Sequence, residues 1–158
     1  HLEDKGIRSA ILNLGGNIYV HGTKPDGTLF KIGIQDPDDK RGDMLGIVTL
    51  KDASVVTSGI YERYFEFGGE IYHHIINPFT GYPENNDLKS VTIVSKSSLD
   101  GDALSTSLFL LGLKKGKKLI ESLNDADAIF VDKSNNVYIT SGIENNFELT
   151  NELYRVIK

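Results

Sequence analysis

The chain has 158 residues, 39% hydrophobic and 25% charged, with a net charge of -5, proportions that suit one soluble globular domain with a core of its own. The acidic balance argues against a nucleic-acid backbone as partner, and no apolar run approaches the roughly 18 residues of a membrane-spanning helix. Without cysteine there is no disulfide, no thiolate nucleophile and no cysteine-held zinc or iron–sulfur site.

Residues 10–20 alternate Leu12, Leu14, Ile18 and Val20 around Gly15-Gly16, which predicts one strand with a bulge or close backbone approach at its centre. Lys24-Pro25-Asp26-Gly27 has turn chemistry, so residues 29–34 are expected to return as the second strand of a hairpin. A polar loop over residues 36–43 separates these from two short strands, 44–50 and 53–57. Gly68-Gly69 predicts a tight hairpin turn between strands 61–67 and 70–76. Residues 77–86, rich in Pro, Gly and Asn, form a loop, and 88–94 a further strand. From Leu99 the period becomes helical: Leu104, Leu108 and Leu111 recur at i, i+4 and i+7, and Gly112 is a stop before a second, basic helix over 114–123. Residues 126–131 and 137–140 make a last hairpin, and 147–157 alternate too weakly to choose between strand and helix. The expected fold is α+β, an antiparallel sheet covered by a helical pair, in one domain over residues 1–158.

Three places could carry chemistry. On a helix Asp102 and Thr106 are four residues apart, so a carboxylate and a hydroxyl share one face, hard-oxygen chemistry suited to Mg2+. The same residues also read as a first-turn acid complementing the helix dipole and a threonine bonded back to the preceding turn. His73 and His74 point to opposite sides of a strand, so one is expected to face solvent and the other to be buried or turned into a cleft; a neutral imidazole at a strand end beside a loop could accept a hydroxyl proton. Zinc on these histidines with His21 is a competing idea, weakened by the absence of a His-x3-His pair. Gly15-Gly16 opens no helix, which disfavours a phosphate cradle, and Ser58 lacks the frame of a hydrolase nucleophile. Thr80-Gly81 reads as turn chemistry alone.

Five segments, in order along nearly the whole chain, together carry a resemblance. They are Ser9-Ala10-Ile11-Leu12-Asn13-Leu14-Gly15-Gly16-Asn17-Ile18, Ile32-Gly33-Ile34-Gln35-Asp36-Pro37, and Val56-Thr57-Ser58-Gly59 leading into Tyr61-Glu62-Arg63-Tyr64-Phe65. The other two are His74-Ile75-Ile76-Asn77-Pro78-Phe79-Thr80-Gly81-Tyr82-Pro83 and Asp102-Ala103-Leu104-Ser105-Thr106; the five together resemble the ApbE family of flavin transferases, and these last two are similar to its "HIIDPxTGxP" and "DALST". Asn77 stands where the first of these signatures has Asp.

The resemblance implies an ApbE-like fold and the C-terminal portion of an enzyme about twice this length, whose first half would supply much of the flavin pocket. It implies transfer of FMN from FAD to a threonine of an acceptor protein, with AMP leaving. Asp102 and Thr106 match the magnesium ligands, His74 the base for the acceptor threonine, and Ile75 a position whose backbone contacts FAD. It implies too a parent lipid-anchored to the outer side of a bacterial membrane. A non-catalytic flavin- or nucleotide-binding module of the same fold is the alternative. A purely structural domain, with the Asp102/Thr106 pair as a helix cap, is a third. By itself the chain is expected to fold without transferring FMN, because two side chains are a poor cage for Mg2+.

Overall fold

The computed structural model describes residues 2–39 and 42–157; Lys40 and Arg41 of the expected polar loop lie outside the described residues. Strands β1 (Ser9–Leu14), β2 (Asn17–Gly22), β3 (Phe30–Gln35), β4 (Met44–Leu50) and β5 (Ala53–Gly59) come first. A short pair, β6 (Tyr64–Phe67) and β7 (Glu70–His73), precedes β8 (Leu88–Ser95), the helix α1 (Ser98–Ile120) and β9 (Ala126–Asp132). β10 (Asn136–Ile139), β11 (Phe147–Leu149) and β12 (Arg155–Ile157) follow.

The α+β expectation holds, but the described strands form three sheets rather than one. The largest runs β1-β2-β5-β8-β9-β10-β12, a smaller one β11-β4-β3, and β6-β7 stands as a two-stranded ribbon. Pairing is antiparallel except between β10 and β12, which run parallel. Gly15 and Gly16 do not bulge a strand. They are the turn of a hairpin, with φ of 69° and 97°, left-handed values that only glycine adopts at little cost. The turn at 24–27 forms, yet β2 and β3 enter different sheets, because β3 pairs with β4 instead. Local turn chemistry reverses the chain without deciding which sheet receives it. Gly68-Gly69 closes the β6–β7 hairpin as expected.

Strand alternation explains the layering. Ile93 on β8, with Ala128 and Phe130 on β9, faces α1, where it packs on Leu108 and Phe109. Val94, Ile129 and Val131 face the opposite way, onto Ile32, Leu45 and Val48 of the small sheet. The large sheet is therefore the middle of three layers, which is why β8 is buried along nearly its whole length. Leu108 and Phe109 are fully buried, each removal of such a side chain from water contributing about 1.5–3 kcal/mol.

The helical pair is present as one element broken at Gly112, whose φ of 72° and ψ of 170° are not helical. Leu111, expected in the apolar stripe, is 42% exposed. The face turned to the sheet carries Gly101, Ser105, Leu108, Gly116 and Ile120, so small residues bring the helix in close and Phe109 supplies the bulk.

Candidate functional site

The first turn of α1 lies hard against the large sheet. A Cβ on Gly101 would come 2.9 Å from Ser95 Oγ, 3.1 Å from Val56 Cγ2 and 3.3 Å from Ser54 Oγ. Those serines bond each other at 3.1 Å, and Ser97 caps the helix by accepting from the Asp100 N–H at 3.3 Å. Only glycine lets the helix sit this near β5 and β8. The next residue, Asp102, is exposed beside β5, with Thr106 one turn on.

Both line a polar cleft of about 680 Å3. Its walls come from the β1–β2 turn, the end of β5 with Thr57 and Ser58, Arg63 before β6, and His74 after β7. Ser58 Oγ lies 2.8 Å from Ser105 Oγ and 3.1 Å from Thr106 Oγ1, so three hydroxyls meet beside Asp102. No side chain among the described residues bonds or pairs with the Asp102 carboxylate. Asn13 Oδ1 accepts from Gly16 N–H at 3.0 Å, and Ser98 donates to Asn17 Oδ1 at 2.5 Å, which pins the glycine turn to the helix start.

The two histidines divide as expected. His73 is buried (8% exposed), donates from Nε2 to Glu84 O at 3.0 Å and accepts Ile75 N–H at Nδ1 at 3.3 Å. Burial holds its pKa below the ordinary imidazole value, so it is neutral and both nitrogens are occupied. His74 is exposed and lines the cleft. Its Nδ1 lies 3.2 Å from Arg63 O, which also accepts the His74 backbone N–H at 3.1 Å. A carbonyl can only accept, so the proton of the neutral ring sits on Nδ1 and Nε2 is the basic nitrogen.

Ile75, the position the resemblance matches to a backbone contact with FAD, is not among the residues lining this cleft. It is 3% exposed, its N–H is given to His73, and its carbonyl accepts Glu84 N–H at 2.9 Å. Asn77 braces the loop that follows: Oδ1 accepts Phe79 N–H at 2.9 Å and Nδ2 donates to Glu84 Oε2 at 2.6 Å. Thr80 accepts Tyr82 N–H at 3.3 Å, turn chemistry as expected.

The oxygen set at the helix start fits magnesium: one carboxylate and adjacent hydroxyls, with no nitrogen or sulfur donor of the kind zinc prefers. No group of three His, Asp or Glu residues that could hold a metal occurs among the described residues, and His21, tied to Ile7 O at 3.1 Å, stands outside the cleft. Ser58, Arg63 and Gly101 were not legible as site residues from spacing. The pointers to them were the Val56-Thr57-Ser58-Gly59 and Tyr61-Glu62-Arg63 runs and the glycine directly before Asp102.

The molecule is thus an α+β protein with an oxygen-lined cleft between a helix start and a histidine-bearing hairpin. The model of the ApbE family matches residues 1–130, and the chain belongs to that family. It is 40% identical over 157 residues to an FAD:protein FMN transferase of Klebsiella pneumoniae, covering 99% of this chain and 48% of that protein. A second FAD:protein FMN transferase, from Treponema pallidum, is 40% identical over 145 residues, covering 87% of this chain and 40% of that protein. Among solved structures, the ApbE protein of Thermotoga maritima superposes with a TM-score of 0.78 at 31% identity, over 87% of this chain and 44% of that one. The flavin transferase ApbE of Vibrio cholerae does so with 0.74 at 29%, over 92% and 46%. The chain thus spans about half the length of the relatives it matches.

Proposed function

We propose that this chain is the C-terminal portion of a magnesium-dependent enzyme that transfers FMN from FAD to a threonine of an acceptor protein. One observation carries the reading: the fold brings Asp102, Thr106 and His74, from segments nearly 30 residues apart, into one polar cleft. Asp102 and Thr106 would hold Mg2+, with Ser58 Oγ beside them. Bound there, the ion would offset charge on the FAD pyrophosphate, the dominant demand of phosphoryl transfer. The threonine oxygen bonds to the flavin-side phosphorus while the bond from that phosphorus to the bridging oxygen breaks, and AMP leaves with that oxygen. The hydroxyl proton passes to His74 Nε2, the nitrogen left basic by the Arg63 carbonyl. Ile75 contributes by anchoring the His74 segment in the core.

We propose further, from the family resemblance alone, that the parent is lipid-anchored on the outer side of a bacterial membrane. No helix among the described residues is long and apolar enough to cross a membrane. Lipid labelling of the parent in cells would test the anchor.

The function is tested by mass spectrometry of an acceptor protein mixed with the full-length protein, FAD and Mg2+. The FMN mass should appear on a threonine with stoichiometric AMP. Asp102→Ala should reduce the rate on the order of 100-fold or more. It should leave the melting temperature almost unchanged, because the carboxylate is exposed and unpartnered. Wild-type turnover by Asp102→Ala at saturating Mg2+ would remove the metal role. One carboxylate is a sparse ligand set, which keeps a second reading in view, flavin or nucleotide binding without transfer. FAD binding with no AMP release would select it.

A further inference from the structure

The β6–β7 hairpin is built unlike the rest of the molecule. Phe65, Phe67 and Ile71 are 63%, 74% and 53% exposed, and the rings of Phe65 and Tyr72 stack 5.2 Å apart at 8°. Apolar side chains left in water at this density on one small ribbon mark a surface that meets something.

The backbone is unpartnered as well. Arg63 and His74 form a hydrogen-bonded pair at the open end of the ladder, through His74 N–H and Arg63 O at 3.1 Å. Bonded and non-bonded pairs alternate along an antiparallel ribbon. Phe65 with Tyr72 is therefore bonded, whereas Ile71 and His73 turn their N–H and C=O groups outward along the free edge of β7. No other strand among the described residues pairs with that edge. Along it runs a second cleft of about 570 Å3, with Ile71, Tyr72 and His73 on one side and Tyr82, Pro83 and Glu84 on the other. The edge leads into His74, which lines the first cleft.

We propose that the acceptor polypeptide adds to the outer edge of β7 as a third strand and delivers its hydroxyl-bearing residue to His74, an inference that rests on the transfer reading above. An open strand edge asks for amide donors and acceptors at strand spacing, which a polypeptide has and a flavin ring lacks. The phosphates belong in the other cleft, beside Asp102, so the occupant that touches both the edge and His74 arrives from outside it. Ile71 on one face of the ribbon and Tyr72 on the other each offer an apolar rest to the side chain that the added strand places beside it. Glu70 and Glu84 outnumber Lys133 along the groove and favour basic residues at the strand's ends.

The probe is a display library of nine-residue peptides with a fixed central threonine, selected on this chain. Selected peptides should be apolar at the two neighbouring positions that lie beside Ile71 and Tyr72, and should shift the amide resonances of Ile71, Tyr72, His73 and His74. N-methylation of the alternate peptide nitrogens facing β7 should weaken binding at least ten-fold, and methylation of the other set no more than about two-fold. Ile71→Pro should match the first effect, since it removes an outward N–H and leaves the β6–β7 ladder intact. The proposal is overturned by an empty selection, by equal tolerance of both methylation sets, or by binders that leave these amides unmoved. It is also overturned if the chain dimerises and Ile71→Pro abolishes the dimer, because a second copy then owns the edge. In the full-length protein, a selected peptide that binds the edge but never gains FMN counts against transfer and supports docking. Wild-type FMN transfer to the protein acceptor by Ile71→Pro overturns docking and supports transfer.

Discussion

At the scale of single residues, the departure from the family signature at position 77 has a local explanation. Asn77 Nδ2 donates to Glu84 Oε2 at 2.6 Å, a bond that an aspartate could make only by one carboxylate taking up a proton. Asn77→Asp, though it restores the signature, should therefore destabilise this chain by about 1 kcal/mol at pH 7. The deficit should shrink as pH falls through the raised pKa of the pair, and Glu84→Gln in the same chain should remove it. Urea unfolding of the two single variants and the double variant at pH 5 and 7 checks this. His73 makes the opposite demand. Burial depresses its folded pKa below that of the unfolded chain, so its contribution is full above the ordinary value near 6.5 and is lost as pH falls through the folded pKa. Between those two pKa values the unfolded state binds the extra proton. Unfolding free energy should fall on acidification across that window, and His73→Gln should flatten that part of the profile.

At the scale of elements, the site depends on how closely α1 approaches β5 and β8. Gly101 is the contact that sets the distance, with serine hydroxyls and a valine methyl 2.9–3.3 Å from where a Cβ would be. Gly101→Ala should cost roughly 1–3 kcal/mol, since overpacking outweighs the gain in helix propensity. It should also displace Asp102 relative to Ser58. The check is a thermal melt together with FMN transfer by the full-length protein carrying the substitution. A variant as stable and active as wild type would show that the helix start has room to spare. The two glycine-pair hairpins have unlike fates for a related reason. The β1–β2 hairpin extends the large sheet and places its turn at the cleft, whereas β6–β7 finds no sheet to join.

For the whole molecule, the small sheet is fastened to the region before β12 by a buried carboxylate. Asp36, 4% exposed, accepts Tyr154 Oη–H at 2.5 Å, Asn151 Nδ2–H at 2.7 Å and Asp38 N–H at 2.8 Å. Burial and the adjacent Asp36 and Asp38 carboxylates hold the Tyr154 phenol far above its ordinary pKa, so it stays a donor throughout the physiological range. Tyr154→Phe leaves that carboxylate short of one bond and should cost about 1–3 kcal/mol, measured as a shift in denaturant midpoint without a change in slope. FMN transfer should be untouched at temperatures where the variant remains folded, because neither residue lines the cleft.

The strand-rich α+β character, the turns at 24–27 and Gly68-Gly69, the helix with its break at Gly112, and the family through five ordered motifs were legible in the amino-acid sequence, whereas Gly15-Gly16 read as a bulge and proved to be a turn. The legible features rest on period and on backbone conformations that one or two residues dictate. The sequence also placed Asp102 and Thr106 on one helical face and His73 and His74 on opposite sides of a strand, because both follow from helix and strand geometry alone. That β2 and β3 part into different sheets, and that Leu111 faces solvent while Gly101 and Ser105 face the sheet, came from packing between distant segments. Ser58 beside Thr106 and the Arg63 carbonyl on His74 Nδ1 are tertiary facts as well. Each joins residues distant in the chain or depends on the separation between layers, and local periodicity carries no information about either.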